Sequence, residues 1–277
     1  MLDSISLDLL GRRARLASAD PALLDHLRML FIDLRTRDGQ TVDWEFRVRR
    51  LSAGFALDVD GVEQSHGLTL ANLLQNCVVR LNSYAVSEPS SVLLHAAGAQ
   101  RSNTTIVFPA ISESGKSTLL AGLIRTGFDY MSDEAISIDW DTLTANPYPK
   151  PISLDPGAFS LFADWAPNYG AGHIATQDAQ WHVPATAVSQ CVIGRPGAID
   201  LLVFPHYDPR QPTSLVQLSK GYALAELTKN TFRFNQQPRR SLDCLAGIVR
   251  RARSYRMAMN DLPSAVRAVS DLVVREF

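Results

Sequence analysis

The feature that most constrains this chain is an apolar run that leads into Gly115-Lys116-Ser117-Thr118 and then into a helical pattern. Residues 104–108 are β-branched and apolar, which predicts a buried strand. The apolar face of the following helix comprises Leu119, Leu120, Leu123 and Ile124. Gly127 is the expected stop of this helix. A strand, a tight turn and a helix N-terminus form the setting in which a backbone loop binds phosphate.

The residue types in this turn fit a triphosphate. Gly115 lets the backbone approach an anion, and the N–H groups at the helix start point toward it. Lys116 is predicted to reach the β- and γ-phosphates, and Ser117 to bind Mg²⁺. Ala110 stands where the usual pattern has its first glycine. The alternative is an ordinary strand-to-helix turn with a surface lysine. The predicted ATP-binding residues are Ser112, Glu113, Ser114, Gly115, Lys116, Ser117 and Thr118.

Phosphoryl transfer also needs carboxylates near the loop, to bind the metal and to accept a hydroxyl proton. Asp133 and Glu134 follow the predicted helix at a distance that allows a turn and a return strand, which places them at the mouth of the loop. Asp139 is a rival metal ligand, and a solvated turn is the alternative for the pair. His95 lies inside an apolar strand, where it is either a core histidine or a group that approaches the acidic pair.

Composition limits the class of protein and its partners. The 277 residues are 46% hydrophobic and 20% charged, with a net charge of −1, which predicts a globular chain without a field that attracts nucleic acid. Cys77, Cys191 and Cys244 are odd in number and widely spaced, so they predict neither a zinc site nor a disulfide framework. No run approaches about 18 apolar residues and no signal peptide is recognisable, so we expect a cytoplasmic protein with no membrane partner. A basic group near the C-terminus is read as a solvated helix face or a binding patch: Arg239, Arg240, Arg250, Arg251 and Arg253.

Two domains are expected, an accessory or substrate-binding α+β region over 1–88 and a catalytic domain over 89–277. Residues 1–20 are mixed and expected to be partly mobile, whereas Asp20-Pro21 is typical of a helix start. Residues 91–97 are predicted to form a strand that is followed by a turn at 100–103 and pairs as an antiparallel hairpin with the strand over 104–108. Residues 188–193 and 199–204 are predicted to be core strands. Residues 146–186 are expected to form a long loop that is a lid, a substrate loop or disordered.

A family resemblance joins these motifs. The order Leu94-His95-Ala96-Ala97, then the loop ending Ser114-Gly115-Lys116-Ser117-Thr118, then Ser132-Asp133-Glu134, resembles the catalytic domain of HPr kinase/phosphorylase. It is more similar still to the HPr-kinase-related kinases encoded beside ribosomal-peptide modification genes. The resemblance covers roughly residues 70–275 and is sharp between 93 and 135.

The resemblance implies a phosphoenolpyruvate-carboxykinase-like P-loop kinase fold, an α/β (mixed α+β) architecture with a bent mixed sheet. It implies phosphorylation of a serine by ATP and Mg²⁺ on a small protein or precursor peptide. In that comparison Asp133 matches the catalytic acid/base, Lys116 the phosphate-binding lysine and His95 the pocket histidine. Ser117 and Glu134 match the metal-binding positions. A homo-oligomer is left open.

The chain departs from that pattern after the acidic pair. The Glu-Arg-Gly-Leu-Gly signature is replaced by residues 150–157, so Asp155, Lys150 and Arg210 are the candidates for the missing acidic and basic groups. The leading hypothesis is a serine kinase. The alternative is a nucleotide-gated module that binds ATP without transferring phosphate. A transport-type ATPase ranks last, because the chain has no Leu-Ser-Gly-Gly-Gln signature.

Overall fold

The computed structural model describes residues 3–37, 41–87, 91–167, 180–188 and 190–277. Its strands are β1 Asp3–Leu9, β2 Arg12–Ser18, β3 Arg35–Thr36, β4 Trp44–Arg50, β5 Phe55–Val59, β6 Val62–Leu68, β7 Val92–Arg101, β8 Thr104–Pro109, β9 Asp129–Ser132, β10 Ala135–Ile138, β11 Thr144–Asn146, β12 Ile152–Leu154, β13 Trp181–Val183, β14 Gly197–Tyr207, β15 Ser214–Gln217 and β16 Arg253–Met259. Its α-helices are α1 Pro21–Leu30, α2 Leu70–Ala85, α3 Lys116–Arg125, α4 Lys220–Lys229, α5 Pro238–Arg251 and α6 Leu262–Glu276. Short 3-10 segments cover Ile32–Leu34, Pro156–Trp165, Ala185–Ala187 and Phe234–Gln236.

The architecture is mixed α/β, with sheets that combine parallel and antiparallel pairs. The chain forms two compact units. The first unit comprises Met1–Glu88 with Lys150–Val188, and the second comprises Pro89–Pro149 with Ser189–Phe277. Residues 150–188, which the sequence analysis placed in the second domain, therefore group with the first. Part of the expected loop over 146–186 lies outside the described residues. The rest includes β12, β13 and a 3-10 segment.

The first unit is built on a sheet in the order β3-β1-β2-β4-β5-β6. Residues 1–20 were expected to be partly mobile, but β1 and β2 within them form a hairpin, while residues 1 and 2 lie outside the described residues. Leu10 and Gly11 have φ of 59° and 88°, as a two-residue hairpin turn requires. The side chains of Ile5, Leu7 and Leu9 alternate into the core.

Helix caps in this unit follow the sequence. Asp20 caps α1 by accepting from the N–H groups of Ala22 and Leu23, with Pro21 at the first helical position. Thr69 caps α2 by accepting from the Asn72 N–H. Each cap satisfies donors that a helix N-terminus otherwise leaves open.

The second unit holds a sheet in the order β11-β10-β7-β8-β14-β16-β15, with β9 also paired to β7. The predicted antiparallel pairing of β7 with β8 is confirmed, and the turn between them is Ser102-Asn103. Strands β14 and β16 run parallel to β8 and to each other. Because β11 pairs with both β10 and β14, the sheet bends back on itself. The predicted strand over 188–193 is wrong: among its described residues only Ile193 makes a β-bridge, to Tyr130.

The helices of this unit pack on both faces of the sheet. On one face, Leu94 and Ala96 of β7 join the core cluster that contains Leu227 of α4 and Leu245 of α5. Successive side chains of a strand alternate between faces, so His95 points to the other face, where α3 packs on β7. In the described part of the chain, no helix combines the length and apolar character that a membrane span needs.

Candidate functional site

The loop between β8 and α3, residues 110–115, has the backbone of an anion-binding turn, and we name it the phosphate loop for its expected ligand. Glu113 and Gly115 have φ of 64° and 87°, in the left-handed region. Gly115 is the N-cap residue of α3, so the first N–H groups of the helix face the loop. Ala110 does not need a left-handed φ, which is why a side chain is tolerated at this position. The loop therefore offers backbone donors at a helix N-terminus, the arrangement that favours phosphate.

Lys116 lies inside this loop, only 6% exposed. Its ammonium donates to the carbonyls of Ala110 at 2.7 Å and Ile111 at 2.6 Å, so the side chain folds over the turn. Burial lowers the pKa of Lys116, while the carboxylates of Glu134 and Asp133 oppose that shift. The acidic pair is thus close enough to the ammonium to act on it electrostatically. A surface lysine, the alternative from the sequence, does not describe this environment.

Ser114, one residue before Gly115, is a buried polar group in the same turn, 8% exposed. Its hydroxyl has no hydrogen-bond partner among the described residues. A buried hydroxyl without a partner is destabilising unless a ligand or water satisfies it. Ser112 and Glu113 are exposed on the rim of the turn, and Ser117 and Thr118 are half-buried in the first turn of α3. The loop therefore offers backbone donors together with one buried hydroxyl that no described residue satisfies.

The acidic pair, Asp133 and Glu134, lies between the end of β9 and the start of β10, and both of these strands pair with β7. The Ser132 hydroxyl accepts from the N–H groups of Glu134 and Ala135, which fixes a tight turn between the strands. The N–H of Ala96 in β7 donates to the Glu134 carbonyl at 3.1 Å. On its other side Ala96 is paired with Pro109, the last residue before the loop. The pair and the loop therefore flank one residue of β7, about two strand spacings or ~10 Å apart.

Asp133 is 3% exposed and accepts from the hydroxyl of Tyr130 at 3.3 Å. A solvated turn, the alternative for this pair, does not describe a carboxylate so deeply buried. The rival Asp139 has a local role instead. Its carboxylate accepts from the N–H groups of Asp141 and Thr142 and from the Thr142 hydroxyl, so it closes the turn between β10 and β11.

His95 faces the same space from β7. Its Nε2 lies 3.7 Å from a carboxylate oxygen of Glu134, and its ring centre lies 5.4 Å from that of Phe232. Burial, with a smaller effect from the Lys116 ammonium, lowers the pKa of His95 to about 4. The imidazole is therefore neutral at neutral pH and can accept or donate a hydrogen bond. Of the two readings from the sequence, the structure places His95 beside the candidate site.

Residues 230–232 are a part of the site that the sequence analysis missed. The His95 N–H donates to the Asn230 carbonyl at 2.7 Å, and the Phe232 N–H donates to the Leu93 carbonyl at 2.9 Å. Strand β8 ends at Pro109, where the chain turns into the phosphate loop. Residues 230–232 then pair with the part of β7 that lies beyond the end of β8. The contact joins residues far apart in the sequence, and no local pattern marks it.

The candidates for the missing acidic and basic groups lie in different units. Lys150 and Asp155 belong to the first unit, where the Lys150 ammonium donates to the Pro151 carbonyl and the Ser153 hydroxyl. Arg210 belongs to the second unit and pairs with Asp208 just after β14. Arg210 is thus the candidate in the same unit as the phosphate loop.

The donor atoms near the loop suit a hard cation. They are the hydroxyl of Ser117 and the carboxylates of Asp133 and Glu134, all oxygen ligands of the kind Mg²⁺ prefers. Among the residues that the structure describes, no group of three or more His, Cys, Asp or Glu side chains is arranged to bind a metal. Mg²⁺ in nucleotide sites takes most of its ligands from phosphates and water, so a small protein contribution fits.

Comparisons with known proteins do not assign a family. Neither the protein-family models nor the curated proteins gave a match to this chain. The case for function therefore depends on the geometry of the loop and the acidic pair.

Proposed function

We propose that this chain is a cytoplasmic, ATP-dependent kinase that transfers the γ-phosphoryl group to a serine hydroxyl of a small protein or precursor peptide. We further propose that its second unit has the phosphoenolpyruvate-carboxykinase-like P-loop fold. Two features support that fold. The sheet is mixed and bent, and its strand β8 leads through the phosphate loop into α3, with β7 and then the acidic pair beside it.

One observation carries the proposal. The buried ammonium of Lys116 lies under the electrostatic influence of Asp133 and Glu134, which flank the loop across β7. The two backbones lie ~10 Å apart with Ala96 of β7 between them, so a phosphate and an attacking hydroxyl would lie over β7, on the face to which His95 points. A loop that only joined a strand to a helix would need neither a buried lysine nor a buried carboxylate facing it.

Each residue has a role that its position supports. The loop amides and Lys116 bind the β- and γ-phosphates and stabilise charge on the transferred group. Asp133 accepts the proton of the serine hydroxyl as the hydroxyl oxygen attacks the γ-phosphorus. The bond from the γ-phosphorus to the bridging oxygen breaks, and ADP leaves. His95, neutral and beside Glu134, orients that carboxylate rather than competing for the proton.

The residues present fit Mg²⁺. Ser117 and Glu134 would hold it, and the ion would supply positive charge to the phosphate oxygens. The buried hydroxyl of Ser114, which lacks a partner among the described residues, favours a ligand in the turn.

The test is phosphoryl transfer to small proteins and peptides encoded by neighbouring genes, read by mass spectrometry. We expect one phosphoryl group on a serine with the unchanged protein and Mg·ATP, and none with Asp133→Asn. Lys229→Ala, a change at an exposed lysine on α4, should be without effect and is the control.

Two results would contradict the proposal. Absence of transfer to every candidate, despite ATP binding, would leave a nucleotide-gated binding module as the better account. The same conclusion follows if Lys116→Ala removes function in cells while Asp133→Asn does not.

A further inference from the structure

The phosphate loop follows β8, which has a neighbouring strand on each side. The proposed chemistry uses only the side of β7. Strand β7 lies on one side of β8, with the acidic pair beyond it, and β14 lies on the other. Because β8 and β14 run parallel, their carboxyl ends share one edge. A Cβ added at Gly115 would lie 3.6 Å from the Tyr207 Cβ, so the end of β14 lies beside the phosphate loop.

The direction of a bound nucleotide follows from this order, and this step rests on the proposed function. Its terminal phosphate lies between Lys116 and the acidic pair, on the β7 side. The other end of the triphosphate must then point away from those carboxylates. The nucleoside is therefore directed toward the β14 side, where Tyr207 and the loop over 208–213 lie.

Two exposed planar groups lie here, one at the end of β14 and one in the loop over 208–213. Tyr207 is 52% exposed, and the side chain of Arg210 is 86% exposed. Both are next to Asp208, which is itself buried. Planar aromatic and guanidinium groups are the surfaces on which nucleic bases stack.

The loop is held in place by a dense set of hydrogen bonds. The Asp208 carboxylate accepts from the backbone N–H and Nε of Arg210 at 3.0 and 2.9 Å, and from the amide of Gln211 at 2.9 Å. These bonds, those from Arg210 first, lower the pKa of Asp208 to about 2. The Thr213 hydroxyl donates to the Asn260 side chain at 2.7 Å, which ties the loop after β14 to the end of β16. A fixed loop loses little freedom when a ligand binds.

We infer that Tyr207 and Arg210 form the nucleoside subsite of the phosphate-loop site and stack on the base of the bound nucleotide. The phosphate loop then supplies affinity for the triphosphate, and the loop after β14 supplies affinity for the base. Asp208 is a positioning residue, because it acts through Arg210 and Gln211.

Calorimetric titration of the full chain with Mg·ATP and with Mg·tripolyphosphate separates the two contributions. Tyr207→Ala and Arg210→Ala should each weaken ATP binding by about tenfold, the scale of one base stack, and leave tripolyphosphate within about twofold. The matched controls are Tyr222→Ala and Arg267→Ala, which change exposed residues of α4 and α6. Lys116→Ala should weaken both ligands.

The outcomes are distinguishable. Equal weakening of ATP and tripolyphosphate by the Tyr207 and Arg210 variants would overturn the inference, because their contacts would then be to phosphate. Unchanged affinity of the Tyr207 and Arg210 variants for both ligands would also overturn it. In that case, weaker binding of both ligands by Lys116→Ala would still support the proposed phosphate site. If Lys116→Ala changes neither ligand, the proposed function fails, and the inference fails with it.

Discussion

Gly115 offers the sharpest test of how the loop works, because a matched glycine separates backbone strain from ligand binding. Gly115 has φ of +87°, and a Cβ there would meet Met259 and Tyr207. Gly127, in the same unit, has φ of +89°, and no atom of the described residues would lie within 4 Å of its Cβ. Alanine at either position has to adopt a left-handed conformation, which costs about 1–2 kcal/mol.

The two variants should therefore be similar in stability and different in binding. The Met259 methyl group is the end of a flexible side chain and moves aside, so Gly115→Ala should lose only slightly more stability than Gly127→Ala. In the loop, however, the new Cβ shifts amides that would bind phosphate. Losing one charge-assisted hydrogen bond costs about 1.5–3 kcal/mol, or about 10- to 150-fold in affinity.

Urea unfolding gives the stability of each variant, and calorimetry gives its affinity for Mg·ATP. We expect Gly127→Ala to bind as the unchanged protein does, and Gly115→Ala to bind at least about tenfold more weakly. Equal affinities for the two variants would refute the reasoning, because the turn would then not be in contact with phosphate.

Four further predictions concern stability. Asp20→Ala should lose about 1 kcal/mol in urea unfolding, because α1 loses its N-cap. Gly122→Ala should lose about 1–3 kcal/mol despite a better helix propensity, because its Cβ would lie 2.7 Å from a methyl group of Leu262 in α6. Gly221→Ala, where no described atom lies within 4 Å of the new Cβ, should be neutral or stabilised by up to about 1 kcal/mol. A larger loss of stability in Gly221→Ala than in Gly122→Ala would contradict the packing of α3 on α6. Burial lowers the pKa of His95 from its ordinary value of 6.5 to about 4 in the folded chain, so the unfolded chain binds this proton first as the pH falls. Stability should therefore fall as pH drops from 6.5 to about 4, and His95→Gln should flatten that part of the pH profile.

Local signals predicted the elements around the loop. The apolar run before Gly115, the helical spacing after it and Gly127 at its end correspond to β8 and α3, and the hairpin of β7 with β8 was expected from its turn. These elements are set by residues close in sequence, so pattern and turn chemistry suffice. The hairpin of β1 and β2 was missed because its turn, Leu10-Gly11, is not one of the strongest turn pairs.

Long-range placement was beyond the sequence. Nothing local indicates that residues 230–232 continue the row of β8, or that residues 150–188 group with the first unit. The proximity of Tyr207 to Gly115 depends on the pairing of β14 with β8. That pairing joins distant parts of the chain, so it cannot be predicted without the order of the whole sheet. Residues 188–193 were predicted to be a strand from their apolar side chains, yet among those that the structure describes only Ile193 makes a β-bridge, to Tyr130.

The most direct measurement is the affinity of the full chain for Mg·ATP with and without the Lys116 ammonium. Calorimetry on the unchanged protein, Lys116→Ala and the control Lys229→Ala should give saturable binding for the first and third. The Lys116 variant should bind at least about tenfold more weakly, since it loses an ammonium that contacts phosphate. Equal affinity in all three proteins, or no binding to the unchanged protein, would contradict the claim that this loop holds a nucleotide's phosphates.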